Sequence, residues 1–185
     1  GGLRVIDYKS GSRKFDPTLV YWGLQLQLLL YLAAALARMP GSHAAGFFYC
    51  RIADPTVQTE SRIREEVERQ IAKKLALSGI SLSDVTILRA QGGQQAAMVT
   101  KDGKPNGRFA ASMVDEAGME KLLTFARNKA AALADEIYAG EIDDSPVERE
   151  TFNACQNCEY SAICVFDPLR KPRRRLTAKR LEDLT

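Results

Sequence analysis

The most apolar stretch of this 185-residue chain runs from Leu24 to Ala37, and it constrains the fold more than any other segment. It is too short to cross a membrane, and two glutamines interrupt it, so a buried core helix is expected. Asp16 and Pro17, which precede it, match an N-cap residue followed by proline at the first helical position. We therefore predict one helix from Pro17 to Arg38 that is apolar on nearly all sides and buried.

Two segments rich in β-branched and aromatic residues flank this helix. Leu3–Lys9 reads LRVIDYK and Ala44–Ile52 reads AAGFFYCRI, and both patterns are typical of strands. A strand, a helix and a second strand in succession favour an α/β fold.

The remainder of the chain contains further helical and turn-rich segments. We predict an amphipathic helix over 60–77, short strands over 96–100 and 108–114, and a long helix over 115–139 that ends before Gly140. We divide the chain into a main domain over 1–146 and a C-terminal cysteine segment with a basic tail over 147–185.

Composition narrows the class of protein. A hydrophobic fraction of 45% and a charged fraction of 26% exclude disorder for most of the chain, and a net charge of +3 is too small to indicate nucleic acid by itself. The tail from Leu169 to Arg180 carries seven basic residues in twelve, which suits phosphate contact, a solvated tail or contact with a partner protein. No secretory signal is visible, so we expect a cytoplasmic protein without a membrane segment.

Asp7 and Lys9 lie two residues apart in the first predicted strand, so their side chains share one face of it. A carboxylate can hold Mg²⁺, which prefers oxygen ligands, and the metal activates water for phosphodiester cleavage. A neighbouring lysine can stabilise the attacking hydroxide or the charged phosphate intermediate. The alternative interpretation of an isolated D-x-K is a surface ion pair on an edge strand.

Gln27 and Tyr31 lie four residues apart and therefore on one face of the predicted helix. Polar side chains in a buried helix need partners. They either bond to core backbone groups, or face Asp7 and Lys9 and help to position DNA or the metal. We assign no role to Gln25.

Cys155, Cys158 and Cys164 form a C-x₂-C-x₅-C motif. Thiolates at this spacing can converge on one metal, and a set of four suits either zinc or an iron–sulfur cluster. The other cysteine, Cys50, lies in a predicted strand, where we expect a buried thiol and not a ligand. The spacing does not choose between the two metals.

The sequence VIDYKSG followed by GLQLQLLLYL resembles the end of a RecB-type nuclease domain of the PD-(D/E)XK superfamily. The resemblance implies a mixed β-sheet flanked by helices that cuts DNA with Mg²⁺. It assigns Asp7 as a metal ligand and Lys9 as the catalytic lysine. Gln27 and Tyr31 match the family's Q-x-x-x-Y helix, which organises the site.

The segment from Thr151 to Pro168 is similar to the C-terminus of the AddB (RexB-like) subunits of bacterial AddAB helicase–nucleases. That family holds a 4Fe–4S cluster, and the resemblance assigns Cys155, Cys158 and Cys164 as three of its ligands, with the fourth outside this chain. It also implies an AddA-like helicase–nuclease partner and a role in processing double-strand DNA ends for recombinational repair.

The family's active site also uses an acidic residue on the strand before D-x-K, whereas this chain begins with the D-x-K strand. We therefore expect a C-terminal fragment of a larger subunit that is inactive by itself and binds its cluster weakly or not at all. Two alternatives stay open. One is a Cas4-type iron–sulfur exonuclease, which shares this motif order. The other is a non-catalytic DNA-binding module that carries zinc or a cluster.

Overall fold

A computed structural model describes residues 1–11, 13–52, 55–57, 63–149 and 152–185 of the chain. Its main sheet contains four strands in the order β1-β2-β3-β4, which span Gly2–Lys9, His43–Arg51, Ser78–Leu82 and Met113–Val114. β1 is parallel to β2, β2 is antiparallel to β3, and β3 is parallel to β4. The prediction of an α/β fold with a mixed sheet flanked by helices is confirmed.

The predicted single helix from Pro17 to Arg38 is wrong, because the chain forms two helices, α1 (Pro17–Tyr21) and α2 (Gln27–Arg38). Gly23 adopts a φ of +81° in the connection, a conformation that favours glycine and interrupts a helix. The expected cap is present, since the Asp16 side chain accepts a hydrogen bond from the Thr18 backbone N–H.

Gln25, to which the sequence assigned no role, stabilises the connection between these helices. It is 4% exposed. Its Oε1 accepts a 2.8 Å hydrogen bond from the Asp16 backbone N–H, and its Nε2 donates a 2.8 Å bond to the Lys14 carbonyl. A buried side-chain amide therefore satisfies the backbone at the entry to α1.

The expectation that the helix is buried on nearly all sides is also wrong. Leu28, Leu29 and Leu32 of α2 lie in the core beneath the sheet, whereas Tyr31 is 52% exposed. The core face of α2 packs against β1, β2 and the long helix α6 (Glu116–Tyr138). α2 is thus amphipathic, with Tyr31 at the border between the core and the solvent.

Two other predicted helices are present. α3 spans Arg64–Lys74, within the predicted 60–77 segment, although residues 60–62 lie outside the described residues. α6 begins after Asp115, whose side chain accepts a hydrogen bond from the Gly118 N–H, and Gly140 follows its end with a φ of +74°. The long helix and its glycine terminator are confirmed.

The middle of the chain departs most from the predictions. β3 (Ser78–Leu82) arises in a region for which the sequence predicted no strand. The predicted strand over 96–100 is absent, because the short helices α4 (Val85–Gln91) and α5 (Gly93–Ala96) lead into a single bridge between Val99 and Pro105. The predicted strand over 108–114 is mostly a 3₁₀ helix, Gly107–Ser112, in which the Asn106 side chain caps the first turn. A local side-chain cap thus favours the 3₁₀ helix over the predicted strand.

A second sheet begins after residue 146. Its strands β5, β6 and β7 span Val147–Arg149, Phe152–Asn153 and Arg174–Arg175, and β5 lies between the other two. The chain then packs back on α1. Leu176 and Leu184 are buried, Lys179 N donates to Thr18 Oγ1 over 3.0 Å, and Trp22 Nε1 donates to the Thr177 carbonyl over 3.2 Å.

The C-terminal strap (residues 176–184) is anchored by Leu176 and Leu184, which are buried, whereas most of the basic tail over 169–180 is exposed. Arg174 lies over the Trp22 ring, and Lys179 lies over the Tyr21 ring at 4.4 Å from its centroid. The basic side chains of this part of the tail therefore cover aromatic rings on the protein's own surface.

Candidate active site

Asp7 and Lys9 point to the same face of β1 and form an ion pair, with Lys9 Nζ 2.8 Å from Asp7 Oδ2. The side chains are 17% and 26% exposed, whereas Tyr8 on the opposite face is 61% exposed. Their face is the one that carries Leu3 and Val5 into the core. β1 is the outer strand of the described sheet, but the ion pair lies against α2 and not on the open surface.

Gln27 connects the ion pair to α2. Its Oε1 accepts a 3.1 Å hydrogen bond from Lys9 Nζ. An ammonium group can only donate, so the amide oxygen must face Lys9 and the amide nitrogen must point away. Gln27 Nε2 in turn donates a 3.0 Å bond to Tyr31 Oη.

The structure therefore brings all four predicted residues, Asp7, Lys9, Gln27 and Tyr31, into one continuous chain of polar contacts. Tyr31 Oη accepts from Gln27, so its own O–H remains available to donate into solvent. The chain runs from a nearly buried carboxylate to a half-exposed hydroxyl. A phosphate oxygen at its outer end could accept from Tyr31.

Asp7 is the residue of this group that fits a metal. Its Oδ2 is buried, and its polar partner among the residues that the structure describes is the Lys9 ammonium, 2.8 Å away. A carboxylate oxygen is a hard ligand of the kind that Mg²⁺ prefers. Within the described ranges, no three His, Cys, Asp or Glu side chains are grouped to hold a metal ion, so these residues do not form a complete metal site around Asp7.

Two residues of β2 that the sequence did not single out for the site lie beside it. In the parallel register Tyr49 pairs with Asp7, and Arg51 pairs with Lys9. Lys9 Nζ lies 6.0 Å from the centroid of the Tyr49 ring. Burial raises the pKa of Tyr49 above its ordinary value, the positive charge of Arg13 opposes this shift, and the negative charge of Asp7 adds to it. Only the pairing of the two strands identifies these neighbours.

The cysteine segment folds into turns. Cys158 N donates to the Cys155 carbonyl over 3.3 Å, and Cys164 N donates to the Tyr160 carbonyl over 2.9 Å. Cys155 and Cys158 are half-buried and Cys164 is exposed. These thiols do not form a ligand group among the described residues, so the structure does not confirm a cysteine knuckle. Cys50 is half-buried, and the expectation of a buried thiol there is wrong.

A mixed sheet whose outer strand presents a carboxylate and a lysine to a glutamine–tyrosine helix has the architecture of a nuclease domain. Residues 1–165 match the family model of the PD-(D/E)XK nuclease superfamily, and the chain belongs to that superfamily. The strap lies beyond the matched residues. No helix in the described ranges is long and apolar enough to cross a bilayer.

Relatives with similar sequences share one name, which designates the B subunit of an ATP-dependent helicase/deoxyribonuclease. The protein of Clostridium kluyveri is 36% identical over 89% of this chain, and that of Caldanaerobacter subterraneus is 37% identical over 89%. The protein of Desulforudis audaxviator is 36% identical over 93% of this chain. The chain spans about 15% of the length of the relatives it matches. These names do not favour a Cas4-type exonuclease.

Proposed function

We propose that this chain is the nuclease module of a larger helicase–deoxyribonuclease subunit that hydrolyses DNA with Mg²⁺ at the Asp7–Lys9 site. The observation that carries the proposal is the polar chain Asp7–Lys9–Gln27–Tyr31, which joins two separate elements. The names of the relatives and the superfamily match support it.

The four residues have distinct roles in this proposal. Asp7 provides a carboxylate oxygen to the metal, and Lys9 places a positive charge where negative charge develops on the phosphate. Gln27 holds Lys9 Nζ by its Oε1, and Tyr31 donates its hydroxyl hydrogen to a phosphate oxygen of the DNA. When bound, Mg²⁺ would polarise the phosphate and lower the pKa of a water ligand.

The partner and the biological role extend the proposal. The parent subunit would work with an AddA-like helicase–nuclease partner and process double-strand DNA ends for recombinational repair. We retain a cytoplasmic location as part of this proposal. The Asp7–Lys9 site would then cut a DNA strand that the helicase activity of the complex delivers.

The test is strand-resolved cleavage by the full-length protein with its partner. Each strand of a duplex is end-labelled in turn, and digestion is measured with ATP and Mg²⁺. Asp7→Asn and Lys9→Met should each reduce cleavage of one strand by about 10²–10³-fold, the effect of removing one charge-stabilising group, without changing ATP hydrolysis. Lys101→Met, in an exposed turn, is the control. Unchanged cleavage of both strands in Asp7→Asn would refute the nuclease assignment and favour a non-catalytic DNA-binding module.

The isolated 185-residue chain should show little or no Mg²⁺-dependent cleavage, because the described residues do not group a set of three metal-ligating side chains that includes Asp7. Strong cleavage by this chain that disappears in Lys9→Ala would contradict that expectation. The result would also show that the described residues contain a complete site.

We propose a structural role for the cysteines as three ligands of a 4Fe–4S cluster, with the fourth ligand outside this chain. Reconstitution of the chain with iron and sulfide under anaerobic conditions should therefore give little or no stable cluster. A stable brown protein with iron and sulfide in cluster ratio, lost in Cys158→Ser and retained in Cys50→Ser, would show that the chain completes the ligand set.

A further inference from the structure

A cavity of about 460 Å³ opens beside the candidate active site. Its wall is formed by the segment that follows β1, the carboxyl end of β2, the last turn of α3 and the start of β3. Tyr49 lines it, and the same ring lies 6.0 Å from Lys9 Nζ. The cavity and the Asp7–Lys9 pair therefore share a boundary residue.

The charged residues that line this cavity and that the structure describes are all positive. Five of its lining residues are cationic: Arg13, Lys14, Arg51, Lys73 and Lys74. No carboxylate is present among the described lining residues, and none of the five cations forms an ion pair with a described carboxylate. Like charges gathered without counterions repel one another, so an anion in the cavity would relieve that repulsion.

The parallel pairing of β1 and β2 explains why this charge lies next to the catalytic pair. Their carboxyl ends meet at one edge of the sheet, where Arg51 is the register partner of Lys9. Arg13 follows β1 across the same edge, and Lys73 approaches from the end of α3. Cationic residues that are far apart in sequence are thus gathered at the sheet edge where Lys9 lies.

The size of the cavity indicates which polyanion it takes. It lies near the lower end of the 300–1,000 Å³ range of small-ligand pockets, which is enough for about one or two nucleotides. A duplex is too wide to enter. Phe15 and Tyr49 also line the cavity, but Tyr49 is 3% exposed and packs in the core, so phosphate contacts and not base stacking would hold the strand.

We propose that this cavity, the basic pocket, binds backbone phosphates of a single DNA strand next to the Asp7–Lys9 site. This proposal rests on the proposed nuclease function, because the strand that the basic pocket would hold is the strand that the Asp7–Lys9 site would cut. Arg13, Arg51 and Lys73 are the principal contacts. Lys74 contributes less, since its Nζ already donates to the Thr56 carbonyl.

The experiment measures DNA binding without cleavage. Anisotropy of a labelled single strand of about 12 nucleotides, within the usual site sizes for single-strand binding, is titrated with the protein in EDTA at several salt concentrations. The triple variant Arg13→Ala/Arg51→Ala/Lys73→Ala should weaken binding about tenfold or more. It should reduce the slope of log K against log salt by about 2, since each phosphate contact to a single strand contributes about 0.7.

The matched control removes the same charge elsewhere. Arg38 lies at the far end of α2, and Lys121 and Arg127 lie on exposed positions of α6. Arg38→Ala/Lys121→Ala/Arg127→Ala should change the affinity less than twofold. Equal losses in the two triple variants would overturn the proposal, as would a blunt duplex of the same length that binds as tightly as the single strand.

Two features keep the test decisive. Lys73→Ala changes one exposed helix position and should by itself weaken strand binding about twofold to threefold. Its circular dichroism spectrum should be unchanged. An unchanged affinity for the strand would count against the basic pocket. Because binding is measured in EDTA, it is independent of catalysis. Loss of cleavage in Asp7→Asn with intact strand binding, or the reverse, separates the proposed function from this inference.

Discussion

Lys9 on β1 donates a 3.1 Å hydrogen bond from Nζ to Oε1 of Gln27, the first residue of α2. The bond joins the outer strand of the sheet to the helix that covers it. α2 begins at Gln27 because the chain breaks between α1 and α2, so the break is part of what places the glutamine beside the lysine. The position of the proposed catalytic lysine thus depends on a contact between two elements.

The first prediction concerns this contact. Lys9→Met and Gln27→Leu should each lower the free energy of unfolding, and the double variant should lower it by less than the sum. We expect a coupling energy of about 0.5–1.5 kcal/mol, the net value of one hydrogen bond. Urea unfolding of the four proteins measures it. Tyr31→Phe, at the exposed end of the chain of contacts, is the control and should cost less; additive losses would show that Lys9 and Gln27 do not interact.

Asp7 should be required for divalent-metal binding. Mg²⁺ or Mn²⁺ should raise the Tm of the wild-type protein, with a stabilisation of about 2.7 kcal/mol when the metal is at about 100 times its Kd. Asp7→Asn keeps the shape of the side chain but removes the charge, so the shift should largely disappear. Asp102→Asn, in an exposed turn, should keep the full shift. Equal shifts in all three proteins would place the metal elsewhere.

The C-terminal strap should contribute to stability although it lies beyond the matched family region. Leu184 is 4% exposed and packs in the main core, whereas Leu169 is 95% exposed. Leu184→Ala should cost about 2–5 kcal/mol, as for a buried leucine. Leu169→Ala should change the free energy of unfolding by less than about 0.5 kcal/mol. Similar effects of the two substitutions in chemical denaturation would indicate that the strap is not packed in solution.

Asp16 should make stability depend on pH in the acidic range. Burial acts to raise the pKa of this carboxyl, but the hydrogen bond and charge of Arg149 and the Thr18 backbone N–H outweigh it, so the pKa is lowered. A lowered folded-state pKa gives stability that is present above the ordinary aspartate value of about 3.9 and is lost as the pH falls through the folded value.

The measurement is unfolding free energy as a function of pH below about 5, the range in which a paired aspartate loses its contribution. Because the Asp16 and Arg149 side chains are partly exposed, the pair should contribute at most about 1 kcal/mol. Asp16→Asn retains the capping ability and should flatten this part of the curve. A variant curve parallel to that of the wild type would assign the acid sensitivity to other groups.

The sequence was informative where spacing along one element determines geometry. Two residues apart in a strand, Asp7 and Lys9 had to share a face, and four residues apart in a helix, Gln27 and Tyr31 had to do the same. The caps at Asp16 and Gly140 were equally readable, because each satisfies a local backbone requirement. The strand–helix–strand order was enough for the α/β class.

Only the tertiary structure decided which elements meet. Gln25 and Gln27 look alike in the sequence, yet one is buried in the connection before α2 and the other faces Lys9, because the chain breaks between α1 and α2. The pairing of β1 with β2 brings Arg51 beside Lys9, and the return of the C-terminus buries Leu184. Such contacts join residues from distant parts of the chain, and their energies come from packing and pairing that no local pattern encodes.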